Sequence, residues 1–255
     1  MNRNDLQRRN QETKQPARND ELRTPIYLMN FSKFIRIAMV TVAFLAISNA
    51  QLSAVESTNR NDLAAIDLFN GKNLEGWKYI SAANAPLTNT WTVRNGIIHC
   101  TGKPTGYLRT ENSSFHDFKL TVEWRFVKLA PKADNTGVLV HIQEPDQVWP
   151  QCVQCQGKHG AQGDLFLMMG AESKEHRGQD KNTPLPKRAA SNEKPIGEWN
   201  TCELICAGDS VKALINGELM NEATDCTVHS GAVGIQSEGA EIEIRRITLE
   251  PLKPR

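Results

Sequence analysis

Between Gly197 and Leu252 the chain is written in a period of two, and that period leaves extended strands as the only regular structure open to it. From Glu198 to Cys206 (Glu198-Trp199-Asn200-Thr201-Cys202-Glu203-Leu204-Ile205-Cys206) successive side chains alternate between two faces. Val211-Lys212-Ala213-Leu214-Ile215 then enters Asn216-Gly217 and leaves through Glu218-Leu219. An Asn-Gly pair between alternating segments is the strongest short-range hairpin signal, because both central turn positions need positive φ. Gly231 to Gln236 and Glu241 to Leu249 supply two more strands, and the second changes apolar phase between Ile244 and Ile247, as one inserted bulge residue makes it do. Such closing strands suit an all-β, concanavalin-like jelly-roll β-sandwich, whose curved sheet presents polar groups of the kind that bind sugars.

The same period runs upstream. Ile66-Asp67-Leu68-Phe69 leads into the turn residues Asn70-Gly71-Lys72-Asn73, and Trp91 to His99 repeats the hairpin chemistry around Asn95-Gly96. Tyr107 to Thr110, Phe118 to Val127, Val138 to Gln143, Val148 to Gln156 and Asp164 to Met169 are the remaining expected strands. No helical repeat competes with them, which favours an all-β domain. From Gly170 to Pro195 the chain is polar and holds Pro184, Pro186 and Pro195, so a long loop is expected there, either a functional excursion or a surface one.

The first 50 residues do not share this pattern. Residues 1–30 are polar, Lys33 and Arg36 follow, and an apolar run from Ile37 to Ile47 ends before Ser48-Asn49-Ala50. The run is too short to cross a bilayer and has the form of a secretory signal with cleavage after Ala50, an uncleaved membrane anchor being the alternative; Met29 is an alternative start that gives the signal an ordinary length. Residues 1–50 are therefore read as a polar extension and signal peptide, 51–64 as a linker and 65–252 as one sandwich domain. Export to the periplasm or the cell exterior follows as the expectation, with contact to a membrane only through the signal. Eight of the 30 Lys and Arg and four of the 29 Asp and Glu lie in the first 50 residues, which leaves 22 against 25 and a net charge of −3. Without a basic stripe, nucleic acid is not an expected partner.

All six cysteines fall in the domain. An even number in an exported chain favours disulfides, with Cys206 and Cys226, which flank the hairpin, as the preferred pair. Cys152 and Cys155 have the spacing of zinc ligands, but residues three apart on a strand face opposite ways and no second pair sits at a fitting distance. They are read as buried free thiols, and neither a metal nor any other cofactor is expected.

Alternation also sorts the polar side chains. Leu120, Val122, Trp124 and Phe126 share the core face of one strand, which turns Glu123 and Arg125 outward. Val138, Val140 and Ile142 are inward on the next, leaving His141 and Gln143 outward, and Val153 inward leaves Gln154 and Gln156 outward. If the three strands are neighbours in one sheet, these six polar residues form one hydrogen-bonding surface suited to a polyhydroxylated ligand. Asn135, Asp164 and Glu238 join them as substrate-binding candidates, and Glu123, His141, Asp164 and Glu238 are the candidate acids and bases. Trp77, Trp91 and Trp149 are either stacking platforms or core.

Several strings carry a resemblance. Leu68-Phe69-Asn70-Gly71-Lys72-Asn73-Leu74-Glu75-Gly76-Trp77, Glu123-Trp124-Arg125-Phe126, Asn135-Thr136-Gly137-Val138, Gly197-Glu198-Trp199-Asn200 and Gly234-Ile235-Gln236-Ser237-Glu238-Gly239 resemble, in order and spacing, the 3-keto-disaccharide hydrolase family over Ala65 to Pro251. The resemblance implies a concanavalin-like jelly roll acting on glycosides already oxidised at C3. In such a substrate the carbonyl acidifies the C2 proton, so one base and one group that steadies the enolate suffice to expel the C1 substituent, after which water adds. His141 or Glu123 is the expected base and Arg125 the expected oxyanion partner. The chain departs from the family at Gln154, where relatives usually carry a glutamate or similar residue, and an amide cannot exchange a proton at neutral pH. A sugar-binding module without catalysis is the alternative reading, and a structural or cell-surface interaction domain a third.

Overall fold

The computed structural model describes residues 64–129, 134–180 and 183–253. The extension, the signal segment and all but the last residue of the linker lie outside the described residues. Within them the chain forms fourteen strands: β1 Ile66–Asp67, β2 Trp77–Ser81, β3 Trp91–Arg94, β4 Ile97–Cys100, β5 Gly106–Thr110, β6 Phe118–Lys128, β7 Gly137–Ile142, β8 Cys152–Gln156, β9 Leu165–Met168, β10 Asn200–Ala207, β11 Ser210–Ile215, β12 Glu218–Ala223, β13 Ala232–Ser237 and β14 Glu241–Pro251. They make two antiparallel sheets. One runs β12-β11-β10-β6-β14-β4-β3 with β1 also on β14, and the other runs β2-β5-β13-β7-β8-β9. This is the expected sandwich.

The turn chemistry forms as the residues demand. Asn216 and Gly217 have φ of 51° and 83°, and Asn95 and Gly96 have 52° and 74°, so both hairpins close through two successive left-handed residues. In β14 the register slips between Ile244 and Arg246, which is the bulge that the apolar phase change predicts.

Each sheet gives one face to a common apolar interlayer. Leu120, Val122, Trp124 and Phe126 of β6, with Ile98, Leu204, Ile244 and Ile247, meet Leu108, Val138, Val140, Val153, Leu165, Val233 and Ile235 of the other sheet. Trp91 and Phe118 are fully buried there, and removal of one such side chain from water stabilises the fold by about 1.5–3 kcal/mol. Trp77 and Trp91 are thus core and not platforms. All six cysteines are buried free thiols, so the expected Cys206–Cys226 disulfide is not formed. Burial pushes the Cys100 and Cys226 thiols up to about 12, which keeps them protonated and unreactive.

Two expectations about the faces fail, for different reasons. Although β6 and β7 are consecutive, they belong to opposite sheets. Glu123 and Arg125 do point outward, but from the far side of the molecule to β7 and β8. In β7 a bulge intervenes: Gly234 pairs with Leu139 and Ala232 with Ile142, so Val140 and His141 together oppose Val233. His141 takes the left-handed conformation, φ 57°, that the extra residue requires. One inserted residue exchanges the faces of everything after it. His141 therefore turns inward and Ile142 outward, the reverse of the predicted assignment.

The segment from Gly170 to Pro195 is a loop, and it has a structural task. Leu185 exchanges two backbone hydrogen bonds with Leu165 (2.7 and 2.9 Å), which occupies the edge of β9. Asn221 Nδ2 donates to Leu185 O at 2.7 Å, and Arg188 N donates to Met220 O at 2.7 Å, so the same loop is fixed to β12, an edge strand of the other sheet. Unpaired edges are open to intermolecular pairing, and here two of them are closed by one segment.

Close backbone approach is also required at Gly106, where β5 crosses β2. A Cβ at that position would lie 2.1 Å from the Ile80 carbonyl oxygen, a backbone atom that cannot rotate away. Gly106→Ala is expected to cost about 2 kcal/mol or more through enforced strand separation, read as a lower midpoint in thermal or denaturant unfolding.

Candidate functional site

On the outer face of the six-stranded sheet, alternation sets Gly137 and Leu139 of β7, Gln154 and Gln156 of β8 and Phe166 of β9 side by side, since Gly137 pairs with Gln156, Leu139 with Gln154 and Gln154 with Phe166. On the other flank the pairing of Ile235 with Val138 brings Gln236 of β13 beside Gly137. Gly137 is the reason that these glutamines can meet. A Cβ there would lie 2.5 Å from Gln236 Oε1 and 2.9 Å from Gln154 Nε2, so the missing side chain is the space the amides occupy.

The amides form a directed chain. Gln236 Nε2 donates to Gln154 Oε1 at 3.1 Å, and Gln154 Nε2 donates to Gln156 Oε1 at 3.4 Å. Gln156 Oε1 also accepts from the backbone N–H groups of Gly157 (2.9 Å) and Lys158 (3.1 Å). A cleft of about 410 Å³ opens over this floor, lined by Asn135, Trp149, Gln154, Gln156, Phe166, Met168, Met169 and Glu238 among others. That volume is in the range of small-ligand sites, roughly 300–1,000 Å³. Trp149 (39 % exposed) and Met169 (60 % exposed) leave apolar surface at the rim.

Glu238 follows β13 directly, and its backbone is bridged to Asn135. Burial in the cleft raises its pKa above the ordinary glutamate value, while a hydrogen bond from the Asn135 side chain and the charge of Lys158 act the other way. Glu238 is the one carboxylate among the described residues lining this cleft. A raised carboxylate in a concave polar site makes Glu238 the candidate in this cleft for proton exchange with a ligand.

The opposite end of the same face is filled. Tyr107, Leu139, Ile142, Cys152 and Ala232 form a small apolar cluster with Ile80 and Met168. Beside it Arg109, 3 % exposed, holds Asp146 (Nε to Oδ1, 2.7 Å), to which Lys78 is also bonded. These contacts confine the open cleft to the β8 and β9 side.

Of the residues expected in a site, Asn135, Gln154, Gln156 and Glu238 come together here and the others do not. Glu123 lies on the outer face of the other sheet, where it accepts from Arg245 Nε at 2.6 Å and pairs with Arg246 at 3.6 Å. Arg125 is on that face too, bonded to Glu243 through Nε at 2.7 Å and stacked 4.5 Å over the Trp199 ring, with Arg245 4.7 Å from the same ring. His141 is fully buried, its ring edge-on to Phe118 at 5.7 Å in the interlayer. Gln143 is committed to main-chain carbonyls, donating to His141 O (2.8 Å) and Ser230 O (2.6 Å). Asp164 caps the returning loop by accepting from Lys187 N at 2.8 Å. The expected base and oxyanion partner are thus displaced from the cleft by sheet membership in two cases and by the bulge in the third. Sequence reasoning missed Gln236, Phe166 and Met169. The available signal for Gln236 was Gly137, two residues after Asn135, a glycine opening a strand whose next three residues are bulky and apolar. Among the described residues no group of three or more His, Cys, Asp or Glu side chains converges to hold a metal ion.

The sequence model of a family described as "3-keto-alpha-glucoside-1,2-lyase-like domain" matches residues 64–250. No curated protein matches the chain. Two structures named "putative glycosyl hydrolase", both from Parabacteroides distasonis ATCC 8503, superpose with TM-scores of 0.53 and 0.55 at 19 % identity, covering 74 % and 75 % of this chain and 100 % and 95 % of theirs. The carbohydrate-binding module CBM66 of Bacillus subtilis superposes at TM-score 0.50 and 13 % identity over 69 % of this chain and 95 % of its own. At these identities the structural likeness shows a shared concanavalin-like sandwich.

Two outcomes are expected from this geometry. Burial lowers the His141 pKa from 6.5 to about 4, so between those values the unfolded chain binds the proton and the folded chain does not. Stability contributed by the neutral imidazole is complete above 6.5 and is lost as pH falls toward 4, by roughly 3 kcal/mol. His141→Phe should flatten that part of the stability–pH curve measured by denaturant unfolding. Gly137→Ala should leave the fold intact but displace the Gln154 and Gln236 amides, weakening ligand binding at the cleft by about tenfold or more in calorimetric titration.

Proposed function

Since this chain belongs to the 3-keto-alpha-glucoside-1,2-lyase-like domain family, we propose that its cleft binds a 3-keto-glycoside and that Glu238 opens the glycosidic bond by elimination. The observation that carries this reading is the convergence of the amide floor, the rim aromatics Trp149 and Phe166 and a single carboxylate of raised pKa in one cleft. Direct glycoside hydrolysis uses two carboxyl groups, roughly 5–9.5 Å apart. A substrate with a C3 carbonyl needs one, because the adjacent C2–H is already acidic.

In this reading a sugar ring lies against Trp149, which offers a flat apolar face to its C–H groups, while the cleft amides bond its hydroxyls. Glu238, ionised, removes the C2 proton. The C–H electron pair becomes the enolate, then the C1=C2 double bond as the C1–O bond breaks; the departing oxygen takes a proton from water, and Glu238 releases the proton it removed back to water. Addition of water to the resulting glycal completes a net hydrolysis. Asn135 orients the carboxylate, and burial keeps its affinity for a proton high enough to act as a base near neutral pH. Export of the chain, supported by the apolar run Ile37 to Ile47, forms part of the same proposal.

The test is turnover of 3-keto-trehalose or 3-keto-sucrose by the purified chain, followed as reducing-sugar release. Glu238→Gln is expected to lower kcat by about 10²–10⁴-fold. Because the base must be ionised, wild-type kcat/KM should fall with acid through a limb above the ordinary glutamate value of 4.5. Saturable binding with no turnover would overturn the enzymatic reading and leave a carbohydrate-binding module, while full activity of Glu238→Gln would remove the base assignment.

A further inference from the structure

Resting on that reading, we infer that the side-chain amide of Gln156 is the oxyanion partner of the reaction, donating from Nε2 to the C3 oxygen as the enolate forms. The observation is a polarity. Gln156 Oε1 accepts from two backbone N–H groups, Gly157 at 2.9 Å and Lys158 at 3.1 Å, and from Gln154 Nε2 at 3.4 Å. Two main-chain donors on one oxygen leave no choice of amide orientation, and the nitrogen is forced to the other side.

The remaining amides of the cleft are engaged otherwise. Gln154 is held at both ends, its oxygen by Gln236 and its nitrogen by Gln156. The Asn135 side chain acts on Glu238, whose pKa it lowers. Among the described residues no acceptor takes the Gln156 Nε2 hydrogens, although Gln156 is only 7 % exposed and lines the cleft. A donor on a largely buried side chain, fixed in direction, open to the cleft and without a protein partner, is preorganised for charge that appears during the reaction, and removal of such a donor costs about 10²–10³ in rate. An amide also suits this place better than a cation, because it does not pair with Glu238 and so leaves the base free. Substrate C2–H and C3–O are adjacent, so base and donor act on neighbouring atoms: the proton goes to Glu238, the charge goes to the C3 oxygen, and the C1 substituent leaves when that charge returns. Gly137 and Gln236 are positioning residues for this arrangement.

Gln156→Glu tests the inference with almost no change of volume, since a carboxylate still accepts from Gly157 and Lys158 but has no hydrogen to give. With a 3-keto-glucoside and the full chain, kcat on the pH-independent plateau is expected to fall about 10²–10³-fold with KM changed less than about fivefold. Exchange of the substrate C2 hydrogen with deuterated water should fall in the same proportion, which a merely structural role would not produce in a variant of unchanged unfolding midpoint. Plateau kcat within about threefold of wild type in the folded variant overturns the inference. The two assignments fail separately: an inactive Glu238→Gln beside a fully active Gln156→Glu removes the donor and keeps the base, and the opposite pair of results removes the base and keeps the donor.

Discussion

Every strand of this domain except the short edge strand β1 owes one face to the apolar layer between the sheets, and that debt positions its other side chains. Where β7 and β8 give Val138, Val140, Val153 and Cys155 to the interior, the intervening Gly137, Leu139, Gln154 and Gln156 have no freedom to be anywhere but outside. The cleft is thus a by-product of core packing. Its amides stand on central strands whose backbone is paired on both sides, which holds them more firmly than a loop could.

The same dependence explains how far the residues could be read without coordinates. Hairpin turns at Asn95-Gly96 and Asn216-Gly217 are local, and φ preference alone decides them. The β14 bulge is legible because Arg245 and Arg246 stand together where an apolar residue was due. The β7 bulge is not. Val138, Val140 and Ile142 are apolar at every second position straight across the bulge, and Ile142 is as content in the outer apolar cluster as it would be in the core. With oily patches on both faces, hydropathy could not register the inserted residue, and His141 was sent to the wrong side.

Sheet membership was illegible for a different reason. Alternation says which residues share a face but not which strands share a sheet, and the step from β6 to β7 crosses the sandwich. Glu123 and Arg125 were rightly turned outward and still lie on the far surface, paired with Arg245 and Glu243. Four of the expected residues nonetheless meet. Gln154 and Gln156 share a strand face, and Asn135 and Glu238 are brought to them by the pairing of β7 with β13. Gln154 is part of the floor because it joins its two neighbours by being donor and acceptor at once, which a carboxylate could not do.

The loop after β9 is attached through main-chain atoms, Leu185 to Leu165, Arg188 to Met220 and Lys174 to Thr224, and through its own side chains, with Glu175 accepting from Thr224, Asn192 donating to Ile215 O and Glu193 accepting from Gly160 N and Gln162 N. Those side chains fix the route of the segment together with its backbone. Met169, the exposed border of the cleft, precedes all of these attachments. Natural variation, or a library made in the laboratory, can redecorate that border without touching the seam.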